Sequence, residues 1–191
     1  ETQVLHCAKI IKKKFPNKLL FSGGVNAKSR SSIFFDAGFD VIFTSESENF
    51  IQQIAKIMQK GSKDFSSVGK IHFKSENSKI VDNSNFGEIV WELDKLPIPA
   101  WNLLPNERYW KIGRPHGGKV LPGKELRYAS LMTSRGCPFE CSYCHIAEEI
   151  DGSKSGAIGR FRIKSDERVK NELNILKNEI GVKQVFIEDD S

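Results

Sequence analysis

The chain has 191 residues, 39% of them hydrophobic and 28% charged, with a formal net charge of +5 at pH 7. This is the composition of an ordinary globular protein, one medium domain or two small ones, and no apolar run approaches the ~20 residues of a membrane span. The positive charge is scattered, with a single short run at Lys12-Lys13-Lys14 that reads as a solvated helix face and not as a nucleic-acid surface.

Residues 1–14 place Val4, Leu5, Ala8 and Ile11 at the spacing of an amphipathic helix, which Pro16 and Asn17 end. Leu19-Leu20-Phe21 is a short apolar run stopping at Ser22-Gly23-Gly24, the pattern of a buried parallel strand and a glycine turn. Ser29 to Ala37 suits a helix with Gly38 as its stop, and Asp40 to Phe43 a second buried strand. A further helix runs from Ser47 to about Gln59, with Phe50, Ile51, Ile54, Ile57 and Met58 as its core stripe. Alternating helices and strands with short loops predict a doubly wound α/β sheet. Such sheets bind ligands at the carboxyl ends of their strands, where Gly23-Gly24 and Thr44 to Glu48 lie side by side in this reading.

From Gly61 to Arg127 the pattern loosens. Lys70 to Phe73 and Lys79 to Val81 flank a turn and read as a β-hairpin. Leu96-Pro97-Ile98-Pro99-Ala100-Trp101 is rigid and apolar, an interdomain linker that packs its tryptophan, and Gly113, Gly117, Gly118 and Gly123 predict a loop. Tyr128 to Met132 begins a second α/β unit. Gly152 to Gly159 is Gly/Ser-rich, and Ser165 is an N-cap with Arg168 in place of the capping-box acid. Val169, Leu173, Leu176 and Ile180 give the apolar side of a helix that Gly181 stops, and Val185-Phe186-Ile187 is a strand ending at Glu188-Asp189-Asp190. Each α/β unit shows two clear parallel strands, so exposed edges are expected beside Leu19–Phe21 and Val185–Ile187. The chain opens at Glu1 inside a helical pattern and stops at Ser191 just after a strand, which reads as an internal piece of a longer protein.

Between these strands, three of the four cysteines fall within Cys137-Pro-Phe-Glu-Cys141-Ser-Tyr-Cys144, introduced by Thr133-Ser-Arg-Gly136. Thiolates ligate zinc and iron–sulfur clusters, and a closed structural site takes four protein ligands. Three thiolates on a four-iron cluster leave one iron open to a substrate. Cys141-Ser-Tyr-Cys144-His145 also matches the C-x-x-C-H of covalent haem attachment, which leaves Cys137 without a role. A zinc ribbon needs a second Cys pair, and a redox C-x-x-C again ignores Cys137. An iron–sulfur electron-transfer module with Cys7 or an external residue as fourth ligand is the alternative outside enzyme chemistry. Cys7 itself reads as a buried small hydrophobe, and the cysteine usage as metal ligands in a reducing, cytoplasmic compartment.

The Cys-x3-Cys-x2-Cys spacing, Tyr143 before the last cysteine and the apolar run Tyr128 to Met132 resemble the signature of radical S-adenosylmethionine enzymes. The resemblance implies a [4Fe-4S] cluster on Cys137, Cys141 and Cys144, whose sulfurs face one centre, with the open iron chelating S-adenosylmethionine and an electron cleaving it to a 5′-deoxyadenosyl radical. The Lys-rich helix, Pro16, the Gly23-Gly24-Val25-Asn26 turn, Gly38-Phe39-Asp40 and Ser45-Glu46-Ser47-Glu48 are similar to the second half of the cobalamin-binding domain that precedes many radical SAM barrels. There the family form is Gly-Glu-Gly-Glu, and the family's histidine loop would precede residue 1. The implied fold is α/β: the C-terminal half of a flavodoxin-like (Rossmann-like) cobalamin-type domain over 1–61, a hairpin and Pro-rich linker over 62–127, and the start of a radical SAM partial (β/α)6 barrel over 128–191. The implied cofactor-binding residues are Gly23, Gly24, Ser45 and Glu46 for cobalamin, and Tyr143, Glu188, Asp189 and Asp190 for S-adenosylmethionine. Arg160 and Arg162 are candidates for the cofactor carboxylate, and His145 is a neighbour of the cluster. The implied partners are an unidentified small-molecule substrate and an electron donor such as flavodoxin or ferredoxin, with no nucleic acid.

Overall fold

The structure is a computed structural model and describes residues 2–112, 126–150 and 157–190. The glycines expected to form a loop at 113–123, with His116, lie outside the described residues, as does the 152–156 part of the Gly/Ser-rich segment. The chain divides into two compact units, Glu1–Val90 with Phe139–Arg160, and Trp91–Pro138 with Phe161–Ser191.

The first unit is built on a mixed sheet of order β1-β2-β3-β4: β1 (Phe21–Ser22), β2 (Val41–Phe43), β3 (Ile71–Lys74) and β4 (Ile80–Asp82). β1 runs parallel to β2, with Phe21 opposite Val41 and Ser22 opposite Ile42, whereas β3 and β4 continue antiparallel. Side chains alternate across a strand, and β2 is apolar on both faces because both faces are covered. Val41 and Phe43 join Phe50, Ile54, Phe65, Val68, Ile71 and Phe73 on one side, while Ile42 joins Ala8, Ala27, Phe34, Phe35, Ala37 and Phe39 on the other. Each buried Val, Ile or Phe among them contributes roughly 1.5–3 kcal/mol. The hairpin expected in the 62–127 connection is therefore part of the first sheet: its β3 strand pairs with β2 through Val41–Phe73, Ile42–His72 and Phe43–Ile71.

Several sequence expectations shift in detail. Helix α1 (Thr2–Lys14) buries Ala8 and partly Leu5 but leaves Val4 and Ile11 exposed, so its inward stripe is narrow. Cys7 is exposed on α1, not buried, because it lies off that stripe. The helix expected over Ser29–Ala37 is α3 (Ser31–Asp36), and a separate short helix α2 (Val25–Ser29) precedes it across Arg30, whose φ of −125° and ψ of 39° are not helical. In α4 (Glu48–Gln59), Phe50 and Ile54 are buried, while Ile51 and Met58 of the expected stripe are exposed. β1 is shorter than the apolar run before it, since Leu20 spends its carbonyl on Asp40 N and Val41 N and its own N–H on the Asp40 carboxylate at 2.7 Å.

The second unit has β5 (Tyr128–Leu131) parallel to β8 (Gln184–Ile187), joined through α6 (Asp166–Ile175) and its π-turn continuation Leu176–Ile180. A short antiparallel ribbon of β6 (Ser134–Arg135) and β7 (Arg162–Ile163) was not legible from periodicity. Trp110, on α5 (Asn106–Ile112), packs with Ala129, Leu176 and Val182, flanked by Trp101, Tyr128, Ile180 and Val185. The linker tryptophan thus packs as expected. Trp110 Nε1 donates to Tyr128 O at 2.8 Å, satisfying its one donor. Helix α6 buries Glu172 and leaves Leu173 of the expected apolar side exposed, while Leu176 in its continuation is buried as expected. Among the described residues β1 pairs only with β2, and β5 and β8 only with each other, leaving strand edges open.

Candidate functional site

Within the first unit, the parallel β1–β2 pair sets the carboxyl ends of both strands on one side, and the polypeptide there turns through Gly23-Gly24 and through Thr44 to Ser47. A Cβ on Gly23 would lie 3.6 Å from Phe43 Cβ, which puts the glycine turn directly beside the end of β2. Gly24 caps α2 with φ 86°, a left-handed conformation that L side chains rarely adopt, and a Cβ there would meet nothing within 4 Å. Ser45 and Glu46 are half-buried in the adjoining turn. Thr44 is buried and its Oγ1 makes no hydrogen bond among the described residues, an unmet polar requirement at this strand end. Gly23, Gly24, Ser45 and Glu46 are thus gathered at one end of the sheet, and the open face over Gly24 with the orphaned Thr44 hydroxyl fits a ligand lying across the strand ends.

Two charged groups near this end escaped the sequence reading. Lys70 follows Gly69 at φ 51° and is buried, donating from Nζ to Ser84 O at 2.9 Å. Burial pushes its pKa down, and the charge of Lys28 adds to the effect. Lys28 on α2 in turn holds both carboxylate oxygens of Glu149 at 2.6 Å. This pair ties the polypeptide after the cysteines to the helix that follows the glycine turn. Neither residue lies in a periodic pattern, so no one-dimensional signal pairs residues 121 apart.

The cysteine segment straddles the division of the chain: Cys137 belongs to the second unit, Cys141 and Cys144 to the first. All four cysteines are free thiols, and Cys137, Cys141 and Cys144 are each half-buried. Cys144 N donates to Cys141 O at 2.9 Å, closing a turn between the last two. Tyr143, inside that turn, is 90% exposed, and His145 is also exposed. Among the described residues no three His, Cys, Asp or Glu side chains stand together as a metal-binding group. The donor set itself, three free thiols in eight positions, fits an iron–sulfur cluster.

In the second unit, the acidic end of β8 meets the start of the cysteine segment. Asp189 Oδ1 accepts from Thr133 N at 2.7 Å and Ser134 N at 3.1 Å, and Oδ2 accepts from the Thr133 hydroxyl. Burial raises the Asp189 pKa, but the hydrogen bonds from Thr133 and Ser134 outweigh it and hold the carboxyl below its ordinary value. Glu188 donates its N–H to Leu131 O at 3.0 Å, and its Oε1 lies 3.4 Å from Ser130 Oγ. Asp190 is exposed. Of the two candidate arginines, Arg162 is buried with its guanidinium over the Trp91 ring, and Arg160 Nε donates to Ile150 O at 3.2 Å.

No protein-family model matches the chain. It is 33% identical over 153 residues to an uncharacterized methyltransferase of Pyrococcus horikoshii, covering 80% of this chain and 28% of that protein. It is 24% identical over 170 residues to the cobalamin-dependent radical SAM methyltransferase TokK of Streptomyces tokunonensis, covering 87% of this chain and 22% of the relative. The chain therefore spans well under a third of the length of these relatives. Among solved structures, the cobalamin-dependent S-adenosylmethionine radical enzyme OxsB, with aqua-cobalamin and S-adenosylmethionine bound, superposes with a TM-score of 0.72 at 18% identity, over 100% of this chain and 24% of that one. The radical S-adenosylmethionine methyltransferase TsrM of Kitasatospora setae, with cobalamin and a [4Fe-4S] cluster bound, gives a TM-score of 0.64 at 14% identity, over 98% of this chain and 34% of that one. The fold is thus a mixed α/β fold similar to those of cobalamin-dependent radical SAM enzymes. No helix among the described residues is long and apolar enough to cross a membrane.

Proposed function

We propose that the chain is an internal part of a cobalamin-dependent radical S-adenosylmethionine enzyme that transfers a methyl group to a small-molecule substrate. The observation that carries this reading is the set of free thiols Cys137, Cys141 and Cys144, whose segment leaves the carboxyl end of β5 in a βαβ unit. Strand ends are where α/β folds place ligand chemistry, and the methyltransferase relatives support methylation over cleavage of S-adenosylmethionine alone. Residues 1–61, with the β3–β4 hairpin that extends their sheet, then correspond to the second half of a cobalamin-type domain, the rest of 62–127 to the connection, and 128–191 to the start of a partial (β/α)6 barrel.

Cys137, Cys141 and Cys144 would hold the [4Fe-4S] cluster. Tyr143 and the carboxylates at the end of β8 would border S-adenosylmethionine, with Glu188 and Asp190 as the acids facing its ammonium. Gly23 and Gly24 would let the backbone approach the corrin, with Ser45 and Glu46 as polar contacts from the neighbouring turn. When bound, the cluster supplies an electron to S-adenosylmethionine, and cobalamin carries the methyl group. The protein supplies position and electrostatics for both. The electron would come from a donor such as flavodoxin or ferredoxin in the cytoplasm.

The test uses the full-length protein, reconstituted with iron and sulfide without oxygen and supplied with cobalamin. Iron content near that of one four-iron cluster, an EPR spectrum that changes on adding S-adenosylmethionine, and label transferred from its methyl group to cobalamin are the expected results. A cluster whose spectrum ignores S-adenosylmethionine would identify an electron-transfer module instead.

A further inference from the structure

Asp189 is held too completely to be read only as one more acid at the end of β8. A carboxylate offers about four lone-pair sites, and three of those on Asp189 already accept from Thr133 N, Ser134 N and the Thr133 hydroxyl. On its other side Thr133 is fixed as well, since its carbonyl accepts from Lys164 N at 2.9 Å. The next two residues, Ser134 and Arg135, pair with Ile163 and Arg162 in the β6–β7 ribbon. Gly136 then turns the chain at φ 74° into Cys137. Cys137 thus sits three residues past Ser134, a reach of at most roughly 11 Å at 3.3–3.6 Å per residue. Hydrogen bonds to an ionised acceptor are about twice as strong as neutral ones. A ribbon of two residues per strand is a weak hold by itself. Glu188 and Asp190 differ from Asp189: the first has a single long side-chain contact at 3.4 Å among those described, and the second is exposed.

We propose that Asp189 is a positioning residue: by binding Thr133 and Ser134 it fixes the limb that carries Cys137, and it leaves recognition of the S-adenosylmethionine ammonium to Glu188 and Asp190. The assignment rests on the radical S-adenosylmethionine reading for what Cys137 does, but not for the anchoring itself. Asp189→Ala should speed hydrogen exchange at the Thr133 and Ser134 amides by about tenfold or more. In the reconstituted full-length protein it should also lower cluster occupancy and alter the EPR signature of the reduced cluster before any S-adenosylmethionine is added. Asp189→Asn keeps the shape and an acceptor for both amides, so it should restore most of the protection and the signature. Thr133→Val, which removes only the hydroxyl bond, should move the same readouts in the same direction by less, and it serves where the alanine variant fails to fold. Glu188→Gln and Asp190→Ala should leave the cluster signature unchanged and weaken its response to S-adenosylmethionine. Asp189→Ala with normal amide protection and a normal unliganded signature, but a lost response to S-adenosylmethionine, would make Asp189 a cofactor ligand and overturn the proposal. If Cys137→Ala retains a full cluster, the radical reading fails, and amide exchange at Thr133 and Ser134 still decides the anchor.

Discussion

Arg168 Nε donates to Glu172 Oε1 at 2.6 Å, one turn apart on α6, and Glu172 is wholly buried. Lys164 Nζ reaches the same carboxylate at 2.8 Å, so a buried anion faces two cations. The rest of the Arg168 guanidinium donates to the carbonyls of Asp94, Leu96 and Pro97, binding the Leu-Pro-Ile-Pro linker to the helix. Removing one partner of a buried ion pair costs roughly 3–5 kcal/mol, and Lys164, which stays on the carboxylate, puts Arg168 at the low end of that range. Arg168→Ala should therefore lower unfolding stability by about 3 kcal/mol. Arg168→Lys should recover little of it, since an ammonium cannot reproduce the planar fork that spans the carbonyls. Urea unfolding of the three proteins decides this, and a loss below about 1 kcal/mol would show the clamp to be idle.

That cluster also shows why parts of the fold were readable and others were not. Ser165 was legible as an N-cap, and its Oγ does accept from Arg168 N at 3.1 Å. What no local pattern shows is that Asp94 accepts from Ser165 N at 3.0 Å, supplying from 71 positions away the contact that a capping-box glutamate makes within one turn. Glu172 was missed because hydrophobic periodicity does not register a carboxylate whose burial is offset by cations, here Arg168 and Lys164 four and eight residues earlier. By contrast β2 was legible, since Val41, Ile42 and Phe43 are apolar on both faces and the sheet is covered on both. The glycine turn was placed correctly at the strand ends, because parallel pairing follows from short αβ loops. The break at Arg30 and the antiparallel addition of β3 depend on tertiary pairing, and neither leaves a trace in the sequence.

Asp189 predicts an acid dependence. Its folded pKa lies below the ordinary 3.8, so between the two values the unfolded chain binds more protons than the native one. Stability from this group is fully present above the ordinary value and is lost as pH falls through the folded value. Asp189→Asn removes the titration, so the stability gap between wild type and variant should be widest above pH 4 or so and should shrink in acid. Chemical denaturation across that range tests the sign, and a gap that widens in acid would refute it.

Lys70 predicts the opposite limb. Burial, then the charge of Lys28, lowers its pKa from the ordinary 10.5, and the unfolded state again binds more protons in the interval. Its contribution therefore improves as pH rises from the folded value to 10.5, which is the sign for a cation penalised by burial. Lys70→Met abolishes this slope, so wild type should gain on the variant with rising pH. Denaturation curves of both proteins at pH values rising towards 10.5 test this, and a constant difference would refute it.

Lys28 and Glu149 predict local rather than global loosening. The pair is 23% and 13% exposed by side chain, so its strength sits between a surface and a buried bridge. Lys28→Ala should raise hydrogen exchange in 141–150 while leaving the β2–β3 core amides protected. The charge-reversed double variant Lys28→Glu with Glu149→Lys should restore protection. Loss of protection throughout the first unit would instead mean that the pair carries the fold and not the segment.

The last prediction separates the four cysteines. Cys137, Cys141 and Cys144 are half-buried and lie within eight positions, whereas Cys7 is exposed on α1. An iron–sulfur cluster open at one iron needs three thiolates, and losing any one leaves two, too few to hold it. In the full-length protein, alanine at any of the three should reduce cluster iron to near background and abolish formation of 5′-deoxyadenosine from S-adenosylmethionine. Cys7→Ala should retain both. The result that separates the hypotheses is the fourth: if Cys7→Ala also loses the cluster, the site is closed by four thiolates and belongs to an electron carrier. If Cys141→Ala keeps full cleavage, the radical assignment is wrong, because the cluster would then be held elsewhere than on this segment.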